Sequence, residues 1–413
     1  MRKYEFGTRR EGASAGQVAL LMLLSAAIAA VVVLGILAAG TTRYRIIDTG
    51  KEQNSALISE LLRDIDKYYY FGEDAPSSKE LTIAAAHSLV NAVGDPYAAY
   101  YSEEEYDSFR STLNGNYKGI GVVITFDEQR GTHVERVYED SPAEKAGILD
   151  GDYIVAVNGE SVIGADLNTV SGMIGGEDGS TVTLTIMRGE EQLEIAAVRG
   201  DVYVRRVYFS QFDDGIGYIR IDSFTGSAAS EFDAALDTLL AGSMTKLIID
   251  VRNDPGGTLD TVTHIADRIL PECTITTLEG KMVEKPEVYT SSAEKSLDMP
   301  LVVLVNGDSA SASEIFASAV QDNKAGTLMG TTTFGKGIVQ TSWQVLPGQG
   351  YLKLTTDAYR TPNGELIHGV GVTPDIVVEQ DPELSGVDIY YILRDYPDRD
   401  LQLAAAIGFL SAN

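Results

Sequence analysis

Leu301-Val302-Val303-Leu304-Val305 leads through Gly307 into Ser309-Ala310-Ser311-Ala312-Ser313-Glu314. An unbroken apolar run reads as a strand buried on both faces, and the small residues after it as a turn into a helix beginning near Ser313. The pattern recurs on either side. Leu247-Ile248-Ile249-Asp250-Val251 precedes the loop 252–258 and a helix through Leu270, and Thr327-Leu328-Met329-Gly330 precedes the loop 331–337. A hairpin over 338–346 and 351–359 follows, turning at Pro347-Gly348. From Ile216 onward strands alternate with helical patterns, so the fold class is α/β. Three strand-to-loop junctions then converge on one sheet edge, where such folds gather their chemistry.

Each junction carries candidate chemistry. At the first, the Ser311 hydroxyl faces the positive end of a helix dipole, where a developing oxyanion is stabilised. Serines there also cap helices, and Ser313 with Glu314 fits that plainer role. At the second, 330–337 satisfies G-x-x-x-x-G-K, but Gly337 has no hydroxyl for Mg²⁺ and a strand follows instead of a helix, which argues against a phosphate loop. Lys336 between two glycines reads instead as a general base. Its reference pKa of about 10.4 must fall by about 3 units, which a pocket of Phe334, Ile338 and Val339 would supply by desolvation. Gln340 follows four residues later, about 13 Å along an extended strand, so the chain must bend for it to reach Lys336. At the third, a backbone amide of Gly256 or Gly257, paired with that of Ala312, makes a two-donor oxyanion hole. A Ser–His–Asp arrangement with His264 and Asp250 or Asp254 is the competing mechanism, with only the residue types in its favour.

Upstream, 119–198 alternates β-branched residues between glycine-rich turns. Gly119-Ile120-Gly121-Val122, then Ser141-Pro142-Ala143, Ala146-Gly147, Gly151-Asp152 and Val157-Asn158-Gly159, resemble a PDZ domain. Such domains hold a peptide's terminal carboxylate on the amides of the first loop while the peptide adds as a strand. Over 53–113 apolar residues recur at helical spacing (Leu57, Leu61, Leu62, Ile65; Leu81, Ala85, Leu89, Val93), until Gly94-Asp95-Pro96 breaks the pattern.

The 413-residue chain carries 32 Lys+Arg against 60 Asp+Glu, a net charge of −28. That surface repels phosphate backbones, so nucleic acid is not an expected partner. One cysteine, Cys273, and four scattered histidines give no zinc spacing and no disulfide, and no cofactor is expected. At the N-terminus Arg2, Lys3, Arg9 and Arg10 precede an uncharged apolar run from Val18 to Ala39. At 1.5 Å per residue the run is roughly 33 Å long as a helix, enough for a membrane and longer than a typical signal peptide's core. We favour an uncleaved signal anchor with the rest of the chain outside the cytoplasm, over secretion after cleavage at 38–40.

The order of these motifs, with Gly94-Asp95-Pro96-Tyr97 upstream and Tyr359, Thr361-Pro362 and Gly369-Val370-Gly371-Val372-Thr373-Pro374-Asp375 downstream, resembles the C-terminal-processing (tail-specific) serine peptidases. The resemblance covers nearly everything from about residue 55 to the end. It implies Ser311 as nucleophile, Lys336 as base, Gln340 orienting the lysine, and a PDZ module that gates the site and selects loose apolar tails. It also suggests Arg188 as a gating residue and dimerisation through terminal helices such as 388–410. The expected organisation is a basic terminus (1–16), a transmembrane anchor (17–40), a helical region (48–112), a PDZ-like domain (113–200), the α/β peptidase core (201–380) and a C-terminal helical segment (381–413). A PDZ scaffold without catalysis is the alternative, and it would not need the set Ser311, Lys336 and Gln340.

Overall fold

A computed structural model describes residues 50–72, 75–113, 115–127, 129–292 and 296–412. The expected anchor, 17–40, lies outside the described residues. Among those described, no helix is long and apolar enough to cross a membrane. The chain divides into two compact units, one ending at Ala84 and the other running from Ala85 to the C-terminus. In the first, the helix Gly50–Tyr68 carries Leu57, Leu61 and Ile65 along one side, all of them exposed.

The second unit is organised on a six-stranded sheet. Val207–Gln211 pairs antiparallel with Ile216–Ile221, and Lys246–Asp250, Leu301–Val305, Thr327–Gly330 and Ile376–Val377 continue it in parallel. Every residue of Leu301–Val305 is buried, as the unbroken apolar run requires, because helices and strands cover both faces. Side chains alternate between faces. Leu247, Ile249, Val303 and Val305 join one core with the helices Ala228–Ala241, Leu259–Asp267 and Ala312–Asp322. Ile248, Val302 and Leu304 join the other, roofed by Leu403, Ala406 and Leu410 of the helix Leu401–Ala412. At about 1.5–3 kcal/mol for each fully buried aliphatic side chain, this strand is a main anchor of the fold. The C-terminal helix therefore spends its apolar side on its own chain.

A five-stranded antiparallel sheet stands beside this layer. Tyr351–Arg360 pairs with Ile338–Gln344 on one side and with Ala99–Tyr101 and Thr274–Gly280 on the other, and Glu287–Thr290 follows. The helical region thus also contributes a strand, Ala99–Tyr101. The turn before it is set by Asp95, whose side chain accepts the Tyr97 amide at 2.9 Å.

The PDZ-like sheet has the order Val122–Asp127, Gly131–Val137, Tyr153–Val157, Thr181–Arg188, Glu191–Val198, with Glu160–Ser161 on Tyr153–Val157. Its short helix Pro142–Ala146 begins where Ser141 caps the Glu144 amide and Pro142 opens the first turn, and ends at left-handed Gly147. Both links to the domain are tied together, because Asn116–Gly119 pairs with Gly200–Tyr203.

Candidate active site

Ser311 stands between strand and helix with φ 57° and ψ −112°, a backbone that non-glycine residues rarely adopt. Such strain costs about 1–3 kcal/mol and persists only where surroundings over-determine it. They do so here. The Ala310 amide donates to the Asp254 carbonyl at 2.9 Å, Ser313 Oγ to the same carbonyl at 3.0 Å, and Ser309 Oγ to the Val251 carbonyl at 2.7 Å. A tight strand-to-helix turn of this kind lifts a nucleophilic oxygen out of the sheet edge.

Glu314, wholly buried, ties this turn to the lysine loop. Its Oε2 accepts the Ser311 amide at 2.8 Å and the Lys336 amide at 2.7 Å. Its Oε1 accepts the Gly335 amide at 2.7 Å and the Thr333 hydroxyl at 2.6 Å. Four donors compensate the buried charge. Tyr359 makes the reciprocal link: its hydroxyl lies 2.9 Å from the Ser311 carbonyl and 2.6 Å from the Lys336 carbonyl. Burial and the Glu314 charge hold that phenol well above its ordinary value, so it stays a donor.

Ser311, Ala312, Lys336 and Gln340 line one cleft of about 710 Å³, together with Gly256, Gly257, Leu259 and Ile315. Burial pulls the Lys336 ammonium below its ordinary pKa, the nearby Lys353 charge pulls the same way, and Glu314 opposes both. The ammonium faces the Tyr97 ring at 4.6 Å from its centroid. Lys353 is held by the Tyr101 hydroxyl at 3.0 Å and faces the Phe109 ring at 4.9 Å.

Two glycines complete the cleft. A side chain at Gly257 would meet the Phe224 carbonyl oxygen at 2.1 Å. Gly256, at φ +98°, lies against the Ser311 turn, where a Cβ would come within 2.8 Å of the Ala312 nitrogen. The Gly256 amide donates to Asp254 Oδ1 at 2.7 Å. Of the three amides expected to form an oxyanion hole, that of Gly256 is therefore committed to Asp254.

The profile of peptidase family S41 matches residues 215–378, and that of the PDZ domain residues 133–188. A Staphylococcus haemolyticus protein named "Probable CtpA-like serine protease" is 32% identical over 376 residues, which is 90% of this chain and 74% of that one. The chain belongs to peptidase family S41. A Bartonella bacilliformis "Carboxy-terminal-processing protease" is 34% identical over 347 residues, 81% of this chain and 78% of that one. A solved structure from Bacteroides fragilis titled "Putative S41 protease" shares the fold, with a TM-score of 0.54 at 16% identity, over 85% of this chain and 96% of that one.

Within this S41 serine peptidase the remaining expected residues fall as follows. Gln340 lines the cleft and its amide donates to Thr355 Oγ1 at 3.2 Å. The pairing of its strand shifts register between Val339 and Gln340. His264 faces Asp233 at 3.0 Å on the exposed side of its helix, and Asp250 is engaged by Arg252 and the Tyr218 hydroxyl, so no triad forms from them. Phe334 is exposed, leaving Ile338 and Val339 as the apolar residues beside the lysine.

In the PDZ domain, Gly119 pairs with Gly200, Ile120 is buried with its carbonyl on the Ala143 amide at 2.7 Å, and Gly121 has φ +85°. Val122 opens the strand Val122–Asp127, whose outer edge carries no partner strand among the described residues. Arg188, expected as a link to the site, is instead bidentate on buried Asp152, with both contacts at 2.8 Å, and also donates to the Gly147 carbonyl. Arg136 is a PDZ residue that does reach the peptidase core. It donates to the Tyr208 hydroxyl at 2.7 Å, stacks 3.9 Å from the Tyr390 ring centroid and lies 3.9 Å from Asp222, which lines the cleft. Sequence reading missed Arg136, and saw in Glu314 only a helix cap. A carboxylate three residues after a strained serine was the available signal.

Proposed function

We propose that this S41 peptidase is an endopeptidase using Ser311 and Lys336, cutting exported or membrane protein substrates near their C-termini, with the PDZ domain holding the tail. The observation that carries the reading is a lysine with a lowered pKa in the same cleft as a serine in a strained, backbone-locked turn. Neutral Lys336 takes the Ser311 proton as Oγ bonds to the substrate carbonyl carbon. The oxyanion formed accepts from the Gly257 and Ala312 amides. Collapse breaks the C–N bond, the amine leaves with the lysine's proton, and water hydrolyses the acyl-serine with Lys336 again as base.

Gln340 orients the lysine in this scheme. The open edge at Val122–Asp127, with the loop 119–122 at its start, supports capture of a terminal carboxylate and an added strand. The apolar run at 18–39 supports a single-pass anchor with the peptidase outside the cytoplasm. Two copies of the chain form the assembled enzyme in this proposal. The carboxy-terminal specificity in the relatives' names fits a module that reads tails. Soluble protein from residue 46, incubated with an unstructured protein ending in apolar residues and followed by mass spectrometry, tests the reading. Fragments cut near the C-terminus are expected from wild type and not from Ser311→Ala or Lys336→Ala. Binding without cleavage by all three would instead favour a scaffold.

A further inference from the structure

Among the described residues the three buried arginines are compensated. Arg252 meets Asp250 and Asp400, Arg220 meets Asp222, and Arg199 donates to the carbonyls of Met173 and Ile174. Arg206 lines the catalytic cleft with its Nε buried and unpartnered, and among the described residues it makes no ion pair. The residue as a whole is half-buried, so the rest of the guanidinium is open to the cleft.

The surroundings explain why no internal carboxylate serves it. Asp222 is its backbone neighbour, donating its amide to the Arg206 carbonyl at 2.8 Å, but the Asp222 carboxylate turns to Arg220 at 2.7 Å. Asp254 is wholly buried with Oδ2 unpartnered; burial pushes its carboxyl well above the ordinary range against the opposing pull of the Arg206 charge, and among the described residues no ion pair joins the two. The Arg206 backbone is fixed, its amide held by Glu231 at 2.8 Å. Lys353 lines the same cleft, and Tyr106, Phe109 and Leu113 give it an apolar wall.

We propose that Arg206 forms a carboxylate-binding subsite of the cleft, taking a substrate carboxylate that sits beside an apolar side chain. The inference rests on the peptidase reading. The guanidinium offers paired donors that match a carboxylate, and a charged hydrogen bond in a shielded site discriminates by roughly tenfold or more. The carboxylate comes either from the substrate's chain terminus or from an Asp or Glu side chain; both present the same chemistry.

The test uses one peptide in three forms: free C-terminal carboxylate, C-terminal carboxamide, and carboxamide with a Gln→Glu change near the scissile bond. KM and kcat are measured for wild type, Arg206→Gln and Arg206→Lys. Wild type should prefer one of the acidic forms over the neutral peptide by about tenfold in KM, less at high salt, and the identity of that form names the source. The preference should collapse in Arg206→Gln and survive in part in Arg206→Lys. A preference unchanged in Arg206→Gln would place carboxylate reading elsewhere, in the PDZ domain, and overturn the proposal, as would a wild type with no preference. The same ratios read as binding, by anisotropy of labelled peptides on Ser311→Ala and on Ser311→Ala with Arg206→Gln, need no turnover. Cleavage surviving in Ser311→Ala would sink Ser311 as nucleophile while the binding ratios still decide Arg206.

Discussion

Ser311 and Lys336 are fastened to each other through a single oxygen: Glu314 Oε2 accepts the backbone amide of each, at 2.8 and 2.7 Å. Neither loop can shift without stretching a charge-assisted bond in a buried site, so Ser311 and Lys336 keep their backbone separation.

Glu314→Gln replaces one acceptor oxygen by an NH₂ group facing N–H and O–H donors. Each orphaned donor costs about 1–3 kcal/mol. The variant should melt several degrees lower and lose at least tenfold in kcat. Tyr359→Phe, which keeps the ring, should lose kcat with little change in KM. Thermal melts and steady-state kinetics on both variants check this, and a Glu314→Gln enzyme of wild-type rate would remove the tether from the account.

The acid limb of the pH profile should report Lys336. Its pKa is lowered by burial and by Lys353, so the neutral base persists to lower pH than for a free lysine and disappears as pH falls through the lowered value. Lys353→Met removes one of the two lowering causes, so the limb of kcat/KM should move to higher pH. Movement the other way would contradict this electrostatic assignment.

Asp254 gives a stability prediction. Burial raises its folded pKa above the ordinary 3.8, so the folded state holds a proton the unfolded state releases. Its contribution is complete below the ordinary carboxylate range and is lost as pH rises toward the folded pKa. Asp254→Asn keeps an acceptor for the Gly256 amide and has no proton to lose. The melting temperature of the variant relative to wild type should therefore rise with pH from about 4 upward, measured by calorimetry. A constant difference would mean that Asp254 is ionised in the fold.

How much of this was legible beforehand follows from what each residue depends on. The parallel sheet was readable because Leu301–Val305 and Lys246–Asp250 are buried on both faces, which leaves an unbroken apolar signature. The PDZ turns were readable because Ser141, Pro142 and Gly147 do local work. Glu314 was not: its partners at 333, 335 and 336 come from another strand junction, and only the fold brings them near. The same holds for Gly256, whose amide is taken by Asp254, and for Arg188, whose partner Asp152 lies 36 residues away. Ala99–Tyr101 is too short to announce a strand and exists through its pairing with Tyr351–Lys353.

Arg136 is the testable contact between PDZ and peptidase core. Its guanidinium bridges Tyr208, Tyr390 and the cleft residue Asp222, and Tyr391 and Arg394 add bonds to the Glu135 carbonyl and to Asp150. Arg136→Met keeps bulk and loses charge. If the PDZ domain gates the site from this docked position, the variant should change cleavage of full-length tailed substrates several-fold while a short peptide lacking a PDZ-binding tail is cut at a different ratio to them than by wild type. Identical ratios in both proteins would remove this contact from the gating scheme.

The central claim is that Ser311 and Lys336 are nucleophile and base. It is met most directly by cleavage of an apolar-tailed protein with wild type, Ser311→Ala and Lys336→Ala side by side, each confirmed folded by its melting curve. The account predicts cleavage near the C-terminus by wild type and none by either folded variant. Wild-type cleavage by folded Ser311→Ala or Lys336→Ala would contradict it.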